Sequence, residues 1–84
     1  MVMNKKRGKK LFTGEFNFSR EAVKKHAWAF SGRQAKIFMM RQIADDHDVS
    51  YMAVAKIFDG SKSNFDIHVD EQWKERQNAK MQEL

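Results

Sequence analysis

Apolar residues change their spacing along this chain, and each spacing predicts an element. In QIADDHDVSYMAVAKIFDG, residues 42–60, the positions Ile43, Ala44, Val49, Val54 and Ile57 are spaced as in two short helices crossing over one turn, with Ala44 at the contact. The first helix closes near His47. Asp48 and Val49 make the turn, where a residue that tolerates a left-handed backbone is required. Ser50 caps a helix over residues 51–58 by accepting an orphan N–H at its start. Asp59 and Gly60 end it, with glycine in the left-handed position after the last turn.

Residues 11–18 alternate instead, with Phe16 and Phe18 on one face after a Thr13-Gly14 turn, and Phe65, Ile67 and Val69 alternate with Asp66, His68 and Asp70. Strands this short are unstable alone, so the two are expected to pair as a small sheet beside the helices. Ser19 predicts the N-cap of a helix over residues 20–30, with Val23, Ala27 and Phe30 as its buried stripe. Trp28 lies off that stripe, either covering the sheet or exposed among Lys24 and Lys25. Ser31 and Gln34 have capping-box spacing and start a helix at Gly32 or Arg33 that runs to His47. Ile37, Met40, Ile43 and Ala44 are its inner face, and Arg33, Lys36 and Arg41 its outer bases. Residues 70–84 predict a C-terminal helix anchored through Trp73. The expected fold class is mainly α: a helix-turn-helix three-helix core within residues 11–69, with a small two-stranded sheet and a C-terminal helix.

A tight helix pair of this kind lays its second helix in the major groove of duplex DNA. Ile43-Ala44, Val49-Ser50-Tyr51, Val54, the small Ala55, the base Lys56 and the aliphatic Ile57 also resemble the helix-turn-helix of the lac-repressor family of transcription regulators. The resemblance is confined to residues 42–60, with no room for that family's ligand-binding domain. It departs from the pattern at Asp48, where glycine is usual, and at His47, where a small apolar residue packs. It implies that Tyr51, Met52 and Lys56 contact bases. By position, Ser50, Tyr51, Met52, Ala55 and Lys56 are the expected outward residues of the second helix. Lys56 can donate to a guanine edge or a phosphate, Tyr51 can reach a phosphate or stack, and Met52 and Ala55 suit thymine methyls. Arg33, Arg41 and Lys62 are the phosphate candidates.

Charge supports an anionic partner. The net charge is +5, but residues 1–41 hold eleven Lys and Arg against Glu15 and Glu21, while residues 42–84 hold five against nine acids. Lys5, Lys6, Arg7, Lys9 and Lys10 crowd NKKRGKK, residues 4–10, which holds no apolar residue to bury. That basic arm is expected to be disordered and to follow phosphates or enter a minor groove, unless it is only a solubilising tail. Asp45, Asp46 and Asp48 stand against DNA, because they precede the second helix and compete for the field that would attract phosphate. They define the alternative: a small adaptor or inhibitor, of the kind encoded by phages and mobile elements, that binds a protein of the transcription or nucleic-acid machinery. Its contact residues would be Trp28, Asp45, Asp46, Asp48 and Trp73, with Met52. DNA is the favoured partner, since motif spacing and the basic first half agree. A homodimer would supply two half-sites.

Eighty-four residues make one small domain, and the absence of cysteine excludes disulfides and thiolate metal sites. No apolar run reaches the roughly 20 residues of a membrane span, and no signal peptide is visible, so a cytoplasmic protein is expected, nucleoid-associated if it binds DNA. His26, His47 and His68 fall in separate elements, and consecutive residues of DDHD point in different directions. With no glycine-rich phosphate loop either, neither catalysis, a metal nor a cofactor is expected.

Overall fold

The alternation in residues 11–18 produces a strand, and that strand is the centre of a sheet. In the computed structural model, which describes residues 8–74, the order is β1 (Lys10–Phe18), β2 (Glu21–Ala29), α1 (Gly32–His47), α2 (Tyr51–Ile57) and β3 (Phe65–Val69). The strands form one antiparallel sheet in the order β2-β1-β3. The fold is therefore α+β, which corrects the expectation of a mainly α three-helix core. The two alternating segments do pair, from Phe12 opposite Val69 to Phe16 opposite Phe65. The sheet has a third strand, however, where a helix over residues 20–30 was expected.

That third strand depends on the loop before it. Phe18 pairs with Glu21, so Ser19 and Arg20 alone turn the chain, both at positive φ (56° and 69°) as a type I′ hairpin requires. Neither is a glycine or asparagine, so the usual hairpin signal is absent, and Ser19 before EAVKKHAWAF reads locally as a capped helix. Pairing along nine residues of β1 outweighs that local preference. Ala27 and Ala29 are buried, and their small side chains let α1 approach the sheet. Gly14 is likewise not in a turn. It lies mid-strand beneath α1, where a Cβ would collide with Met39 Sδ and stand 2.8 Å from Phe16 Cε1.

α1 lays Ala35, Met39, Met40, Ile43 and Ala44 on the Phe12 and Phe16 face of the sheet. Its start has the predicted Ser31 cap, with the return bond from Gln34 shifted one residue, to Phe30 instead of Ser31. Ser31 Oγ accepts the Gln34 N–H at 3.2 Å, while Gln34 Oε1 accepts the N–H of Phe30 at 2.8 Å. α2 is held by Val54 and by Phe58, its C-cap, both fully buried. Gly60 has a positive φ of 95° but lies two residues beyond Phe58, one later than expected. Residues 71–74 begin a helical turn in which Asp70 Oδ1 accepts the Trp73 N–H at 3.0 Å. The rest of the expected C-terminal helix lies outside the described residues. Among the described residues no helix is long and apolar enough to cross a membrane.

Replacing Ser19-Arg20 by Asn-Gly is expected to raise stability by about 1 kcal/mol, since glycine and asparagine occupy the left-handed region at less cost. A urea titration checks this. A helix over residues 20–30 would instead be weakened by the added glycine, so a fall in stability would contradict the hairpin.

Candidate nucleic-acid interface

α1 turns into α2 within three residues. Asp48 adopts the left-handed conformation (φ 54°, ψ 46°), and its N–H bonds to the carbonyls of Ala44 and Asp45. The Val49 N–H also bonds to Ala44 O, at 3.0 Å, and Ser50 Oγ accepts the Ala53 N–H at 3.1 Å. The expected turn residue and the expected cap are both in place.

The outward face of α2 differs from the expected one. A helix anchored through Val54 and Phe58 turns positions 51, 54, 55 and 58 inward by the i, i+3, i+4, i+7 rule. Tyr51 and Ala55 accordingly pack against the core, and Ala53 takes the exposed place assigned to Ala55. Met52 is 66% exposed, Lys56 is exposed, and Val49 and Ile57, expected at the helix crossing, are each 42% exposed. Phe58 occupies the buried place assigned to Ile57. Ser50 remains exposed, with its oxygen engaged in the cap.

Arg33, Arg41 and Lys62 are all exposed. Arg33 and Arg41 stand on α1 about 12 Å apart along its axis, and the Arg41 guanidinium lies 5.7 Å from the Tyr51 ring centre. Lys36 is instead drawn over the Phe65 ring at 4.1 Å. Lys10 opens β1, and Lys9 lies 5.4 Å from the centre of the Phe30 ring. Lys5, Lys6 and Arg7 are outside the described residues. Residues 8–74 carry eleven Lys and Arg against nine Asp and Glu, so the described fold is nearly neutral and its local charge arrangement matters more than its sum.

The three aspartates are not equivalent. Asp46 bonds to Lys25 on β2, and this hydrogen bond and charge hold its carboxyl below the usual range. Asp45 and Asp48 are exposed with no ion pair among the described residues. Trp28 and Trp73 meet edge to face at 6.2 Å. Trp28 is paired with Leu11, whose side of β1 is opposite the Phe12 and Phe16 face that the helices cover. The residues expected to form a protein-binding surface are thus divided between the far face of the sheet and the end of α1.

On that far face, Thr13, Asp70 and His26 form a network that sequence spacing could not reveal, because Thr13 and Asp70 are 57 positions apart. Thr13 is almost fully buried, and its hydroxyl donates to Asp70 Oδ2 at 2.7 Å. His26 Nδ1, 3.2 Å from Thr13 Oγ1, must therefore be the donor to that oxygen. The Thr13 hydroxyl, then the Trp73 N–H, hold the Asp70 carboxyl below its ordinary value. Phe30, expected in a buried stripe, is 60% exposed at the end of β2.

Comparison with protein-family models, with curated proteins and with solved structures finds no match to this chain.

Because the folded-state pKa of Asp70 is lowered, its contribution to stability is present above the unfolded value of about 3.9 and is lost as pH falls through the folded value. Asp70→Ala is expected to flatten the acid limb of the stability curve, read as urea midpoints between about pH 6 and pH 2. Asp46 and Asp59, lowered by Lys25 and Ser61 respectively, retain the remainder of the slope. An unchanged slope would contradict the network.

Proposed function

We propose that this protein binds duplex DNA as a small transcription regulator, with α2 in the major groove and the basic arm along the backbone. The observation that carries this reading is the joint between α1 and α2: a left-handed Asp48, a capping Ser50 and a buried Val54 that together turn Met52, Ala53 and Lys56 outward. Met52 and Ala53 suit thymine methyls, and Lys56 suits a guanine edge or a phosphate. Arg33 and Arg41 supply backbone charge on the neighbouring helix. The Lys25 pair with Asp46 also removes one of the three negative charges near α2. A second copy would add a second half-site.

A second reading rests on the exposure of Val49, Met52 and Ile57 beside Asp45 and Asp48. An apolar patch edged by carboxylates suits a basic protein surface, as an adaptor would require.

Duplex binding measured over a salt series separates the two. Affinity is expected to fall log-linearly with salt. Lys56→Ala should weaken binding to a selected sequence by roughly fivefold to a hundredfold, the worth of one good base contact. Asp48→Gly should tighten it, because a repulsive charge leaves and glycine adopts the same backbone freely. Binding indifferent to salt and to both substitutions would sink the DNA reading and favour the protein partner.

A further inference from the structure

The end of the molecule away from the α1–α2 turn carries an exposed aromatic ring, Phe30, that the α2 reading does not use, in a region whose bases Lys9, Lys10 and Arg33 that reading takes only as backbone charge. Phe30 is 60% exposed, and its backbone is anchored by the bond from its N–H to Gln34 Oε1, which fixes the point from which the ring projects. Gly8 passes close enough that a Cβ there would stand 3.4 Å from Phe30 Cε1, and the Lys9 ammonium lies 5.4 Å from the ring centre. Lys10 is the next residue, at the start of β1 and paired with Ala29. Arg33 stands in the first turn of α1, which contains no carboxylate. Among the described residues, Lys9, Lys10 and Arg33 form no ion pair. Residues 8–14, which lead into and open β1, contain no acid.

An exposed aromatic ring among unpaired cations is the arrangement with which proteins bind single-stranded nucleic acid: the ring stacks on a base and the cations follow the phosphates. A duplex presents no base face to such a ring unless a step is unstacked at a cost of a few kcal/mol, whereas a single strand presents one freely. We propose that Phe30 is a stacking platform for an unpaired base and that Lys9, Lys10 and Arg33 hold the adjoining phosphates. The protein then has a single-stranded DNA site separate from α2. α1 has 16 residues and is about 24 Å long, which keeps this site distinct from the turn into α2 at its other end. Stacking is tolerant of base identity, so the site takes single strands with little sequence preference.

The test is fluorescence anisotropy of the full chain with two probes, a labelled oligothymidylate of about 12 nucleotides and a labelled duplex. Phe30→Ala and Phe30→Leu should each weaken oligothymidylate binding about tenfold, while Phe30→Trp preserves it. Duplex binding should be unaffected by all three. Phe30→Leu keeps an apolar side chain against Gly8 while losing the π face, and a thermal melt of each variant reports its fold. Lys56→Ala should leave oligothymidylate binding unchanged, so a failure of the α2 reading and a failure of this one are seen on different probes. Three results would overturn the proposal: no binding of oligothymidylate by the unsubstituted protein, undiminished binding by folded Phe30→Leu, or an equal loss on both probes.

Discussion

Phe58 joins the two layers of this fold. It follows α2 directly, is fully buried, and stands edge-on to Phe16 at 4.9 Å, with Phe65 at 6.1 Å and Phe18 at 6.3 Å. A helix of seven residues is too short to persist in water by itself, so α2 takes its position from Phe58 and from Val54 one turn earlier. Deleting a buried phenylalanine ring costs about 3–5 kcal/mol, a large part of the total stability of a small domain. The loop to β3 reinforces the contact. Asn64 Nδ2 donates to Ile57 O at 2.7 Å, and Asn64 O accepts the Asn17 N–H at 2.9 Å. Which side chains of α2 face solvent is a consequence of this anchoring.

The same packing gives the sheet two unlike faces. One is apolar and covered by the helices, and α1 approaches it closely because Gly14, Ala27 and Ala29 leave room. The other carries Trp28, Thr13 and His26, tied to Asp70 and Trp73 at the end of β3. Asp70 is the hub of that side. Its backbone N–H bonds to Leu11 O at 2.8 Å, one carboxylate oxygen accepts from Thr13, and the other caps the turn that brings Trp73 to Trp28. These contacts hold the chain after β3 against the centre of the sheet.

Charge is distributed along α1 in a way that separates its ends. Arg33, in the first turn of α1 and shortly after Ala29, the strand partner of Lys10, marks the end without acids, while Asp45, Asp46 and Asp48 mark the end that leads into α2. Lys25 offsets only one of those aspartates. The local potential is therefore more positive at the Phe30 end of α1 than at the end that leads into α2.

What the chain determined locally could be read without coordinates. The Ser31–Gln34 cap, the left-handed Asp48, the Ser50 cap and the strand alternation around Phe16 and Phe65 each depend on residues within a few positions of one another. Their physics is local, so their pattern survives in one dimension. The identity of β2 could not be read this way. Ser19 and the residues after it satisfy a helix as well as a strand, and the choice was made by nine residues of pairing with β1 and by the need for small side chains under α1. Gly14 is required by Met39, Ala55 faces inward because Phe58 on the same side of the helix is buried against Phe16, and Thr13 is satisfied by Asp70, so each of these assignments follows from a contact distant in sequence. Tertiary structure alone decided them, because burial and hydrogen bonding across long separations outweigh the small differences in local backbone preference between helix and strand.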